Sequence, residues 1–197
     1  MMQSLTGTRK IHHAAGLYLD GIRDGRIWEA LDAHTGSRYT QHSTGVGDGK
    51  EGFAAFFEPF IEANPVREIQ VLRAIEDGSF VFLHVYQSLN NGAAQWVTGD
   101  LFETDANDMV IEHWDVIQEY AVQTASGRSM VDGPTDITDL DKTEVNKAIV
   151  AEFFEAVLIG GQMERVTEFV SEDQYHQHNP TVADGLAGFA EHLSLIH

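Results

Sequence analysis

A repeat constrains this chain more than any other feature. Residues 39–54 read YTQHSTGVGDGKEGFA, and residues 175–190 read YHQHNPTVADGLAGFA. At a constant offset of 136 residues, Tyr39, Gln41, His42, Val46, Asp48, Gly49, Gly52, Phe53 and Ala54 return as Tyr175, Gln177, His178, Val182, Asp184, Gly185, Gly188, Phe189 and Ala190. The offset holds beyond that window. Gly25 falls on Gly161, and the apolar Ala14, Ala15, Tyr18 and Ile22 fall on Val150, Ala151, Phe154 and Leu158. Self-similarity at a fixed offset marks a repeated structural unit. The chain is therefore expected to carry one whole copy and a second, partial one.

Periodicity gives the expected elements of the whole copy. Ile11, Ala14, Ala15, Tyr18 and Ile22 lie at helical spacing, as an amphipathic helix requires. A short second helix is expected around Ile27, Trp28 and Leu31, and RYTQHS reads as a short strand. Asp48 with Glu51 opens a capping-box-like start, Phe53, Phe56, Phe57 and Phe60 form one helical stripe, and Pro65 closes that third helix. VREIQVLRAI, FVFLHVYQSL, AAQWVTGDLFE and MVIEHWDVIQEY then read as strands separated by the turn signals EDGS, NNG and TDAND. The expected fold class is α+β, with three helices before one bent antiparallel sheet over residues 66–118. Residues 121–141 are rich in Gly, Ser, Thr and Asp and are expected to be a linker. Residues 142–197 repeat the three helices and the short strand but carry none of the four sheet strands. Two apolar stripes of that copy, Val150, Ala151, Phe154 and Leu158 on one helix and Phe189, Leu193 and Ile196 on another, are expected to pack on another surface.

Composition narrows the partners. Lys and Arg number 12 against 31 Asp and Glu, a formal charge of −19. That balance disfavours nucleic acid and anionic membrane surfaces. No apolar run approaches the roughly 20 residues that span a bilayer, and the basic start has no apolar segment after it to make a secretory leader. With no cysteine, thiolate catalysis and Cys-ligated metal are excluded. A cytoplasmic setting is expected. His176 and His178 share a strand face, and His12 adjoins His13, but neither pair brings a third ligand in register, so no metal is expected. Gly45, Gly47 and Gly49 lack the strand–loop–helix context and lysine ending of a phosphate loop.

Three segments together carry a resemblance: YTQHS followed by GDGKEGFAAFF, FVFLHVYQS, and GDLFETDANDMVIEHWDVIQ. With them residues 7–120 resemble the SnoaL-like branch of the nuclear-transport-factor-2-like superfamily, and residues 142–197 resemble a partial second copy. The resemblance implies a cone-shaped mixed sheet wrapped by three N-terminal helices around an apolar pocket. It also implies acid–base chemistry on a small carbonyl compound, of aldol-condensation or enolisation type, without cofactor. The aspartate of the last strand, Asp115, is the position the resemblance carries over as acid or base.

The residues support a similar assignment. On a strand, positions i and i+2 share a face. His113 therefore lies beside Asp115, and His84 beside Phe82 and Tyr86. The expected catalytic set is Asp115 as base, His113 as its partner, and His84 and Asp100. His42, Tyr86, Trp96, Phe82 and Trp114 are expected to line the substrate site, with His84 and Asp115 both on the concave face. Each has a plainer reading: His42 recurs as His178 where no sheet exists, His84 suits a core, and Asp100 suits a turn cap. Two function classes follow. One is a cofactor-independent lyase or isomerase on a small hydrophobic carbonyl compound. The other is a non-catalytic binding or dimerisation module that keeps the cone. A homodimer is the expected assembly.

Overall fold

The computed structural model describes residues 8–195. The first seven residues, read above for a leader, and Ile196 of the second apolar stripe lie outside that range. The chain divides into two compact units, Met1–Tyr120 and Ala121–His197.

In the first unit, helix α1 spans Arg9–Gly16 and runs on as a wider π-type segment, Leu17–Arg23. Helix α2 (Ile27–His34) leads directly into strand β1 (Thr35–Gln41), and helix α3 covers Gly49–Ala63. Strands β2 (Arg67–Asp77), β3 (Phe80–Leu89), β4 (Ala94–Thr104) and β5 (Val110–Glu119) follow. The sheet order is β1-β5-β4-β3-β2. Neighbours from β2 to β5 are antiparallel, and β1 adds a parallel strand beside β5. Register shifts at Val71/Arg73 and Glu103/Thr104 are bulges of the kind that bend a sheet. The molecule is thus α+β, a five-stranded mixed sheet with three helices on its inner face.

Register fixes which side chains face those helices. Val81, Leu83 and Val85 are fully buried with Leu17, Tyr18, Leu31 and Phe53 in one core. They pair with Phe102, Asp100 and Thr98, and Phe102 and Asp100 pair in turn with His113 and Asp115. All of these therefore share the concave face. Phe80, Phe82, His84 and Tyr86 alternate with them and lie on the convex face, so the expected concave position of His84, Phe82 and Tyr86 is corrected. The alternation was right but its sense was inverted. The compact aliphatic set packs flush under the helices, whereas the aromatic and polar set tolerates water.

The second unit holds helix α4 (Thr143–Phe153) with a π-type continuation (Phe154–Ile159), the single turn α5 (Val166–Phe169) and helix α6 (Gly185–Ser194). Among its described residues no strand forms. The segment QYHQH, expected as a strand, stays unpaired, because β1 pairs only with β5 and this unit has no counterpart of β5. The loop bonds nevertheless match those of the first unit. Gln41 N donates to Asp48 Oδ1 at 2.8 Å, and Gln177 N to Asp184 Oδ1 at 2.8 Å. Ser43 N and Asn179 N donate to the Oε1 of Gln41 and Gln177 at 3.0 and 2.9 Å. Asp48 thus spends its carboxylate on Gln41 rather than capping α3, which revises the capping-box expectation. A Cβ on Gly52 would lie 2.1 Å from the Gly47 carbonyl oxygen, and one on Gly188 2.3 Å from that of Ala183. Both approaches admit only glycine.

The stretch expected as a bare linker is partly folded. Arg128 pairs with Asp184 at 2.8 Å, Ala125 N donates to Pro180 O, and Met130 is buried. Of the stripes expected to be covered, Phe189 and Leu193 are buried with Val157 and Val166. Val150 and Phe154 stay open, with Phe154 51% exposed. The equivalent Ala14 and Tyr18 are covered by the sheet in the first unit.

Candidate functional site

The concave face and the helices enclose a cavity of about 320 Å³, at the small end of the range for small-molecule sites. Most of the wall is apolar: Leu17, Ile22, Val46, the α3 stripe Phe53, Phe56, Phe57 and Phe60, and Trp96, Phe102 and Ile117. The polar groups are Tyr18 from the π-type segment, Tyr39 and Gln41 from β1, Ser43 just after it, Gln87 from β3, Thr98 from β4, and His113 and Asp115 from β5. Tyr39 and Gln41 reach the cavity together because they sit two apart on one strand.

Behind this wall lies a buried network. Asp100 is 0% exposed and accepts from Tyr18 Oη at 2.7 Å, Thr98 Oγ1 at 2.7 Å and His113 Nε2 at 3.0 Å. His113 Nδ1 stands 2.8 Å from Gln41 Oε1. That oxygen is identified as the acceptor because it also takes the Ser43 N–H at 3.0 Å. Both ring nitrogens of His113 are therefore engaged, one by Asp100 and one by Gln41, which locks the ring in place. A lone buried carboxyl group would be costly, and its three hydrogen-bond partners offset that cost.

Asp115 differs from Asp100. It lines the cavity, and its oxygen, one from Asp100 and a His113 nitrogen lie within 4.8 Å of one another. Among the described residues nothing donates a hydrogen bond to its side chain. This is the one cluster of three ligand-type groups found there, and both His113 nitrogens are already engaged, by Asp100 and Gln41. Burial raises the Tyr18 hydroxyl well above its ordinary pKa, and the Asp100 charge adds to this. Burial, then Asp100, does the same for Tyr39. Both phenols stay protonated as donors. Gln41 Nε2 donates to Tyr39 Oη at 3.4 Å, which leaves the Tyr39 proton free to point into the cavity.

Four of the nine expected site residues converge here: Asp115, His113 and Trp96 on the wall, and Asp100 behind it. The other five do not. His84 lies on the convex face, where Arg73 Nη1 approaches its Nδ1 at 3.1 Å. Tyr86 Oη accepts from Gln95 at 2.8 Å and Phe82 is open to solvent. Trp114 stacks on His42 with centroids 4.9 Å apart, and His42 Nε2 meets Glu112 Oε1 at 2.8 Å. Those contacts are outside the cavity because β5 turns Glu112 and Trp114 away from His113. Tyr18, Tyr39 and Gln41 were missed as functional groups. Tyr39 and Gln41 stood out only as repeated positions, and Tyr18 only as one member of an apolar stripe.

Fold and site together define an α+β cone that encloses a mostly apolar cavity. No protein-family profile and no curated protein matches the chain. Among solved structures, a candidate polyketide cyclase from Bacillus cereus ATCC 10987 is similar at 15% identity and TM-score 0.50, over 59% of this chain and 79% of that one. A candidate polyketide cyclase from Acidithiobacillus ferrooxidans is similar at 13% identity and TM-score 0.50, over 59% of this chain and 92% of that one. These likenesses are of fold. Among the described residues no helix is long and apolar enough to cross a membrane.

Proposed function

We propose that the first unit is a cofactor-independent acid–base enzyme that moves a proton α to the carbonyl of a small apolar substrate, as an isomerase or aldol-type lyase would. One observation carries this reading: the Asp115 carboxylate faces a mostly apolar cavity without a hydrogen-bond donor of its own among the described residues. Asp115 removes the proton from carbon, and the Tyr39 hydroxyl donates to the oxygen on which charge develops. The His113–Asp100 pair, 3.0 Å apart, stands beside Asp115 and fixes the polar side of the cavity. Trp96 and the phenylalanine stripe exclude water and hold the substrate by its apolar surface.

The test is deuterium uptake at the α-carbon of a panel of small cyclic ketones in D₂O, followed by NMR. Exchange above the buffer rate, lost in Asp115→Asn, supports the reading. A ketone bound by wild type without exchange would instead assign the cone to binding alone. We also propose that the protein acts in the cytoplasm as a homodimer. The convex face leaves Ile75, Phe82, Leu101 and Val116 in water, and a second copy would cover them. Sedimentation velocity showing a monomer at micromolar concentration would reject the dimer.

A further inference from the structure

The concave face of β3 is apolar at every position but one. Val81, Leu83, Val85 and Leu89 are buried there, and Gln87, at the same alternation, lines the cavity. Its cross-strand partner on β4 is Trp96, which lines the cavity as well. Directly opposed residues of an antiparallel pair share a face, with Cβ atoms about 4.5–5.5 Å apart.

Neither polar group is used by the fold. Among the described residues the Gln87 amide and the Trp96 indole N–H make no hydrogen bond, whereas every fully buried side-chain polar atom there has a partner. Thr98 and Asp100, the next concave residues of β4, are tied to Tyr18 and His113. An amide among aliphatic side chains is costly unless something bonds to it, so both groups are open toward the contents of the cavity. Gln87 offers two N–H donors and one carbonyl acceptor, and Trp96 one donor. A carbonyl oxygen can accept from both, and a hydroxyl can accept from one and donate to the amide oxygen. An anion is disfavoured, because Glu119 pairs with Trp96 on its other side and the chain carries a formal charge of −19.

We infer that Gln87 and Trp96 form a second polar subsite, which selects ketones carrying a neutral hydroxyl or carbonyl oxygen at the end remote from the reacting carbon. The inference rests on the proton transfer proposed at Asp115 for which end of the ligand reacts. Asp115 pairs with Asp100, and Trp96 precedes Asp100 by four residues on β4, about 14 Å along an extended strand. Side chains and hydrogen bonds at both ends take up part of that length, and a fused bicyclic ketone fits the remainder. The wall between the two ends is the α3 stripe Phe53, Phe56, Phe57 and Phe60, which suits a flat apolar body.

The experiment uses the full chain and three matched ligands: β-tetralone, and the same ketone bearing a hydroxyl or an acetyl group on the ring remote from its carbonyl. Affinity is read by titration calorimetry, and α-proton exchange in D₂O by NMR. Wild type should bind one of the oxygenated ketones about three- to tenfold more tightly than β-tetralone, the worth of one or two neutral hydrogen bonds. The tighter of the two identifies the oxygen as hydroxyl or carbonyl. Gln87→Met keeps the length of the side chain and removes its hydrogen-bonding atoms. It should erase the advantage, with the loss in KM rather than kcat and the urea midpoint close to wild type. Trp96→Phe, which keeps a ring and removes the N–H, should reduce the advantage. Asp115→Asn should lose exchange but keep the preference. An advantage that persists in Gln87→Met overturns the inference and leaves the chemistry at Asp115 standing. Equal affinity for all three ketones overturns it too, as does binding of none below about 1 mM or a collapse of the urea midpoint in Gln87→Met. A Gln87-dependent preference without exchange supports the subsite and rejects the proton transfer.

Discussion

Replacing Asp100 by alanine probes the buried network most directly. The substitution removes the acceptor for three donors at once, from Tyr18, Thr98 and His113, at 2.7, 2.7 and 3.0 Å. Each donor left buried without an acceptor costs about 1–3 kcal/mol. Water can enter the gap, so the total should stay near about 4 kcal/mol. Against the 5–15 kcal/mol usual for a domain, that is a large share. Trp28, Trp96 and Trp114 all lie in the first unit and the second has none, so tryptophan fluorescence in urea reports the first unit alone. At a typical slope of about 1–3 kcal/mol per molar urea, the midpoint should fall by about 1.3–4 M. The paired variant Asp100→Asn with His113→Gln should show a coupling of at least about 1 kcal/mol. A loss below about 1 kcal/mol for Asp100→Ala, with no coupling in the cycle, would refute the buried network as a stabilising unit.

Other outcomes follow from the same geometry. Tyr39→Phe should slow α-proton exchange by about 10²–10³ while ligand retention persists; an unchanged rate removes Tyr39 as the donor. His84→Ala, on the convex face, should leave exchange within twofold, and a larger loss would return His84 to the site. Tyr18 and Tyr39 have folded pKa values raised by burial, so the folded state holds their protons more tightly. Their stabilising effect is complete below the unfolded value of about 10 and is lost as pH rises past it. In an absorbance titration these two of the five tyrosines should ionise only as the first unit unfolds. Glu112 is held below its ordinary range by the His42 hydrogen bond first and then by Arg38. Its contribution is therefore present above about 4.5 and lost as pH falls toward its lower folded value. Glu112→Gln should flatten the acid limb of first-unit stability.

Much of the fold was legible because period and punctuation agree. The stripe from Ile11 to Ile22 became α1 and its π-type continuation, and the turn signals EDGS, NNG and TDAND fell between the four long strands. The candidate site was legible only in part. Alternation along a strand separates two faces but does not say which is covered. In β5 the two agree, since His113 and Asp115 share the buried side with Val110 only through the bend and register of the sheet. In β3 the central histidine drew attention to Phe82, His84 and Tyr86, yet Val81, Leu83 and Val85 make the denser contact with the helices. Burial follows the set that packs best, not the set that carries interesting chemistry. Tyr18 was hidden by its own amphipathic nature: its ring belongs to the apolar stripe, while its hydroxyl reaches Asp100.

The repeat, the strongest signal in the sequence, records folding rather than chemistry. Its two loops share the bonds from Gln41 and Gln177 to Asp48 and Asp184, and the glycine contacts at Gly52 and Gly188, although the first unit has a sheet and the described residues of the second form no strand. What the loops do not share are the partners of their histidines. His42 meets Glu112 and stacks on Trp114, whereas His178 Nδ1 meets Ser129 O at 2.7 Å. A residue kept for reaction would need the same reacting surroundings in both places. A residue kept for the loop needs only the local turn, and that is what recurs. Asp100, His113 and Asp115 lie on β4 and β5, strands that have no counterpart among the described residues of the second unit. The test of the proposed activity therefore rests on the first unit, where these three side chains stand together.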